Sequence, residues 1–339
     1  MQLTLVVPGL LDLAEATPGV PDAVSSTLAR LLASGPPPVA GDGAIGPLCS
    51  ALGIARQRDW PIAPLLAAAA SLEPGNAYWL LAEPVALLAG RHDARLAAIV
   101  DDLSSDEAAA LLATLNSHFS SDDLRFFAPD PARWLVEVAG VQQIDTHPAD
   151  EALGAPILPL LPEGPDAPRW RRWQSEMQML LFEHPVNAAR ERAGRLPANG
   201  VWLSGGGQYE EARARPRIAS LYTDAALQGD LARACGAASA RAPPTLAAWQ
   251  DARPALPSMV WLPDIGANDA SAALAALDRQ WAAPLAAALE ARDITEVAVV
   301  ITGRGRALSF MPRRRSLPSR LRERLAPARL STLLAAGAR

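Results

Sequence analysis

The chain contains no lysine; all 31 of its basic side chains are arginine. That excludes a Schiff-base lysine and the lysine of a phosphate-binding P-loop. Cysteine is almost as scarce. Cys49 and Cys235 stand alone, without CxxC or CxxH spacing, so neither a zinc knuckle nor a disulfide framework follows and two buried free thiols are expected. The four histidines, His92, His118, His147 and His184, lie far apart, and neither HxH nor HExxH occurs. No run approaches the roughly 18 uninterrupted apolar residues of a membrane span. The opening residues, MQLTLVVPGLLDLAEA, lack a basic segment and turn acidic early, unlike a signal peptide. The expected location is the cytoplasm.

What is present suits a soluble protein with a sizeable core: 339 residues, 50% hydrophobic and 20% charged. That length fits two domains, or one large α/β domain with an insertion. The net charge of −5 is uneven. From Pro312 onward there are eight arginines against one glutamate, which puts that tail at +7 and the remainder at −12. Such a tail suits a nucleic-acid or anionic-membrane patch. No aromatic interleaves its arginines as base stacking would want. The favoured reading is therefore an amphipathic helix, LRERLAPARLSTLL, docked by its leucines.

Along the chain, LTLVV (3–7) is a short apolar run ending at Pro8-Gly9, a buried strand and its turn. SSDEAAALLATLNSHF carries a capping box, Ser104 with Glu107 three residues on. LRFFAP and RWLVEVAG read as a β-pair. RWRRWQSEMQMLLFEHP places Trp170, Trp173, Met177, Leu180 and Leu181 on one helical face, a core stripe. The later runs GVWLS, RIASLYT, SMVWLPD and EVAVVITG alternate with helical segments, which predicts an α/β fold whose mainly parallel sheet is covered by helices on both faces. The expected organisation is a discontinuous α/β domain over 1–74 and 160–311, an inserted α+β domain over 75–159 and a basic tail over 312–339. Ligands of such sheets sit at the carboxyl ends of the strands, here after residues 7, 204, 223, 263 and 302.

The stretch HPVNAARERAGRLPANGVWLSGGG (184–207) concentrates polar residues around one hydrophobic run. Pro185 should stop the preceding helix near His184, Asn187 suits an N-cap and Gly194 a C-terminal stop. Capping does not account for Gly205-Gly206-Gly207. Three glycines past a strand either let backbone N–H groups approach an anion or give a flexible connection, and pattern leaves both open.

The same stretch resembles a segment of the archaeal-type cofactor-independent phosphoglycerate mutases of the alkaline phosphatase superfamily. It is carried by His184-Pro185-Val186-Asn187, Arg190, Pro197-Ala198-Asn199, Val201-Trp202-Leu203 and the glycine run. The chain also resembles a bacterial group of phosphoglycerate mutase-like, or RpfE-type, regulatory proteins, which shares that stretch. LTLVVPGLLD is similar to the family's opening strand and turn, WLPDIGANDA to a metal-binding loop and VAVVITGRGRALSF to its last strand. The resemblance implies an alkaline phosphatase-like fold. It also implies chemistry run by two divalent metals, Mn or Zn, and a serine nucleophile that becomes phosphorylated.

Carried over position by position, that chemistry is mostly missing. The family's first aspartate falls on Pro8, its nucleophile near Ala44, a histidine on Asn268, its final Asp-His on Gly303-Arg304 and an arginine on Ser204. Asp264 alone is retained, and a single carboxylate holds a divalent ion poorly. The resemblance thus implies a protein without catalytic residues or cofactor that binds a phosphorylated small molecule or a protein partner. Its ligand-binding candidates are His184, Asn187, Arg190, Asn199, Gly205, Gly206, Gly207, Asp264 and Arg304. Arg304 either stands in for a cation or faces water with Arg306 beside acidic side chains. The alternative is an active metal-dependent mutase or phosphomonoesterase that draws its ligands from Asp12, Asp42, Asp264, Asp269 and His184.

Overall fold

The computed structural model describes residues 2–17, 20–24, 26–41, 43–90, 94–210, 215–265, 269–314 and 328–335. Two compact units emerge, one discontinuous (Met1–Gly53 with Arg215–Arg339) and one inserted (Ile54–Ala214).

The discontinuous unit begins with β1 (Gln2–Val7), α1 (Leu10–Ala16), α2 (Val20–Val24), α3 (Ser26–Leu32), β2 (Val39–Gly41) and α4 (Ile45–Ala51). The inserted unit runs through α5 (Ile62–Ala69), β3 (Tyr78–Ala89), β4 (Ala94–Ile99), α6 (Ser105–His118), β5 (Leu124–Asp130) and β6 (Arg133–Val138). It ends with α7 (Ala149–Ala152), α8 (Ala167–Phe182), α9 (Pro185–Arg192) and β7 (Gly200–Gln208). The chain then returns with β8 (Ser220–Tyr222), α10 (Ala226–Ala234), β9 (Ala238–Ala240), α11 (Leu246–Asp251) and β10 (Ser258–Trp261). It closes with α12 (Ala270–Leu277), α13 (Ala283–Ala291), β11 (Glu296–Gly303), β12 (Arg306–Phe310) and α14 (Leu330–Ala335).

The discontinuous unit is α/β, as expected. Its seven-stranded sheet has the order β2-β12-β11-β1-β10-β8-β9. The five strands from β11 to β9 are parallel, and β12 and β2 continue antiparallel at one edge. Central strands of such a sheet lose both faces to helices, which is why β1 and β10 are continuous apolar runs. Leu3, Leu5 and Val7 share one core with Leu28 and Leu32 of α3, Leu274 of α12 and Leu285 of α13. Between α12 and α13 a π-helical turn (Asp278–Ala282) precedes Pro284. A proline ring collides with the carbonyl four residues back in a regular helix, and widening the turn relieves this. Of the basic tail, α14 falls within the described residues; it docks through buried Leu330 and Leu334, while Asp22 accepts from the Ser331 N–H and hydroxyl. Residues 315–327 and 336–339 lie outside the described residues.

The inserted unit is α+β and larger than the sequence suggests. Its sheet joins β4, β3, β6 and β5, with β7 added antiparallel to β3. GVWLS therefore does not extend the parallel sheet. An antiparallel strand covered on both faces shows the same unbroken apolar run as a parallel one, and β7, paired with β3 alone, is such a strand, buried from Gly200 to Gly207. Because β7 pairs with β3 from Tyr78 to Val85, and α8 carries buried Trp170, Trp173, Met177 and Leu181 into the core that includes Val201 and Leu203, residues 160–214 belong to this unit rather than to the α/β domain. The capping box of α6 is present as read: the Ser104 hydroxyl accepts from the Glu107 N–H and the Glu107 carboxylate from the Ser104 N–H. At the outer edge, the Asn116 side chain bonds both the N–H and the carbonyl of Phe126 and so occupies part of β5 that a foreign strand would otherwise pair with.

Candidate functional site

The polar residues of 184–199 form a brace inside the inserted unit. His184, not Asn187, caps α9: its Nδ1 accepts from the Val186 N–H at 3.2 Å. Nε2 is then left to donate to the Thr114 hydroxyl, 3.1 Å away. Burial lowers the His184 pKa, in keeping with a neutral ring whose Nδ1 lone pair is in use. Asn187 lies within α9, where its amide donates to the carbonyls of Leu181 (2.7 Å) and Ala198 (2.9 Å) while its oxygen accepts from the Ala198 N–H (2.8 Å). The expected cap is in fact a buried tie between α8, α9 and the approach to β7. Asn199 does the same for the sheet, holding the N–H and carbonyl of Leu87 at 2.7 and 3.0 Å.

Arg190 has no exposed surface, yet its guanidinium meets the Leu196 carbonyl, Glu107 and Asp102. A buried cation is tolerable only when its donors are matched in this way. Desolvation pushes the Glu107 carboxyl up, but the Ser104 N–H and the Arg195 and Arg190 guanidiniums outweigh it and leave the pKa below the ordinary value.

The glycine run is explained by packing. Residues 204–207 face 79–81 with one residue in excess, a β-bulge in which Gly205 takes the left-handed conformation (φ 64°). A Cβ on Gly206 would lie 2.4 Å from the Tyr78 hydroxyl, and one on Gly207 2.5 Å from Pro61. The Gly206 N–H does meet an anion, the chain's own Asp59. That carboxylate also accepts from the Thr146 hydroxyl and the Trp60 N–H.

Asp264 and Arg304 belong to the discontinuous unit, at the carboxyl ends of β10 and β11 on either side of β1. Among the parallel strands the chain steps toward β9 after β1 and back toward β11 after β10, so the β1/β10 crevice is the switch point where ligands of α/β sheets bind. Gly9, left-handed at φ 75°, turns the chain from β1 into α1. A Cβ there would lie 2.3 Å from an Asp264 oxygen. Asp12, in the first turn of α1, accepts the Arg304 N–H at 3.0 and 3.1 Å, and a Cβ on Gly303 would sit 2.7 Å from it. Desolvation and then the neighbouring Asp12 charge raise the Asp264 pKa. Arg304 and Gly305 form the two-residue turn of the β11–β12 hairpin, and Arg306 pairs with Glu15. The sequence offered Asp12 as a spare carboxylate only; its signal is its position one helical turn after a strand-end glycine.

Asp12 and Asp264 are the two carboxylates that meet at these strand ends among the described residues. A catalytic zinc keeps three protein donors, and among the described residues no three His, Cys, Asp or Glu side chains converge. Asp269 accepts from the Ala272 N–H as the cap of α12, and His184 is the cap of α9 in the other unit. Asp42 and Asn268 lie outside the described residues. Ala44 precedes α4, without a hydroxyl to offer. No helix among the described residues is long and apolar enough to cross a membrane.

No protein-family model matches the chain, and neither does any curated protein. Solved structures similar to it include the following two. A cofactor-independent phosphoglycerate mutase from Thermoplasma acidophilum is 17% identical over 92% of this chain and 89% of its own, with a TM-score of 0.44. The PH0037 protein from Pyrococcus horikoshii is 13% identical over 92% of this chain and 87% of its own, with a TM-score of 0.42. At such identities and scores the chemistry of this chain rests on its own residues.

Proposed function

We propose that this chain is a phosphoglycerate mutase-like protein that binds its ligand at the β1/β10/β11 strand ends without turning it over, as a regulatory or scaffolding component. One observation carries this reading: Pro8, Gly303 and Arg304 stand at the strand ends where a metal-dependent transferase of this architecture needs ligands, and the Asp12 carboxylate there is engaged by the Arg304 N–H. Two carboxylates repel a bare phosphate, so the ligand that fits is a phosphorylated small molecule carrying its own divalent ion. Two carboxylates with phosphate oxygens completing the shell is a common arrangement for Mg²⁺.

Thermal unfolding with Mn²⁺, 3-phosphoglycerate or both, run beside an assay for 2-phosphoglycerate, tests this. Stabilisation by the combination, lost in Asp264→Asn, with no product formed, is the expected result. A second reading, an active mutase or phosphomonoesterase, is favoured by the juxtaposition of Asp12 and Asp264. Metal-dependent turnover that Asp264→Ala abolishes establishes it and overturns the first.

A further inference from the structure

The face of the inserted sheet opposite α6 and α8 carries a polar cluster that neither the brace nor the strand-end site uses. Glu83 sits in the middle of β3, directly across from Trp202 of β7, and bonds the Ser204 hydroxyl. The segment 145–157, with α7 at its centre, lies over this face. Ala149 and Ala152 pack against Val85, Leu96 and Trp202. The Trp202 indole donates to the His147 carbonyl at 2.7 Å, and the Gly154 and Ile157 N–H groups bond Leu96 and Ala94 of β4. Charge on the clasp meets charge on the sheet. Asp150 of α7 and Arg133 of β6 act on Glu83 from opposite signs, and His147 lies 3.6 Å from Glu151 with Glu163 and Asp59 nearby. Asp145, at the start of the segment, pairs with Arg58.

We infer that residues 145–157 form a pH-sensitive clasp: it is held on the sheet while Glu83 and His147 carry their protons and loosens when both are lost, uncovering Trp202, Val85 and Leu96. The arrangement requires this direction. Glu83 has the Ser204 hydroxyl as its hydrogen-bond partner, and the pull of Arg133 on it is outweighed by the carboxylate of Asp150 in the clasp, so ionising it sets Glu83 against Asp150. Deprotonating His147 removes the positive partner of Glu151. Both groups move the same way: burial and then Asp150 push Glu83 up to about 7, and Glu151 raises His147. A folded pKa above the unfolded one means stability present at low pH and lost as pH rises through it. For Glu83 the window opens above the ordinary carboxyl value and closes at about 7.

Hydrogen exchange of the full chain at pH 6 and pH 8, corrected for intrinsic rates, reads this directly. Peptides within 145–157 are expected to lose protection about tenfold at the higher pH, the equivalent of one pKa unit, while peptides of α6 and α8 change far less. Glu83→Gln should remove most of the loss and His147→Gln a smaller part. Should Glu83→Gln not fold, Asp150→Asn interrogates the same carboxyl from the exposed side and should shrink the loss. Equal protection of the clasp at both pH values, or an undiminished loss in the Glu83→Gln/His147→Gln double variant, overturns the inference.

Discussion

In the inserted unit, Arg190 is wholly buried and still meets two carboxylates and a carbonyl, and Asn187 uses both ends of its amide on backbone. In the discontinuous unit, Asp12 and Asp264 gather at strand ends beside two glycines that leave no room for a side chain, and Asp264 is raised by its neighbour. The first arrangement lowers the energy of the fold. The second raises it slightly and leaves an accessible carboxylate, the arrangement on which the proposed ligand site rests. A polar residue in a sequence says nothing of which kind it is; its partners do.

Breaking the brace should have the largest effect. Arg190→Met leaves Glu107 and Asp102 without their buried partner and should cost about 3 kcal/mol in denaturant unfolding. Asn187→Ala, which strands the Leu181 carbonyl and the Ala198 N–H, should cost about 2 kcal/mol. His184→Asn sharpens the point through pH. The His184 pKa lies below its unfolded value, so the folded state binds fewer protons and stability is lost as pH falls below about 6.5. Asparagine keeps a capping oxygen and does not titrate, so the acid-side loss should shrink in a melting series from pH 8 to pH 5. The smallest effect should come from the strand ends. Asp264→Asn keeps the fit against Gly9 while removing the repulsion from Asp12, and should leave the melting temperature unchanged or slightly raised; a loss like that of Asn187→Ala would place Asp264 with the brace instead.

Much of the fold was legible because it depends on periodicity. Continuous apolar runs marked β1, β10 and β11, Ser104 and Glu107 announced the start of α6, and the Trp170–Trp173–Met177 stripe announced the buried face of α8. The pairing of β7 was not legible, since burial on both faces erases the alternation that separates antiparallel from parallel strands. Asn187 read as a cap because caps are local, whereas its actual partners, Leu181 and Ala198, become neighbours only when the chain doubles back. At the strand ends, Asp264 and Arg304 were named from the sequence, but the Asp12 contact joins residues 292 positions apart. The cluster of Asp59, Glu83, His147 and Ser204 gave no signal at all, coming from four distant segments.

The bulge at Gly205 makes the sheet sensitive to length as well as to identity. Deleting one glycine would slide the preceding half of β7 by one place, turning Val201 and Leu203 toward the side now held by Trp202 and Ser204, and the reverse. A relative with two glycines here would need a different set of inward residues upstream, so the number of glycines and the pattern of the strand before them must change together.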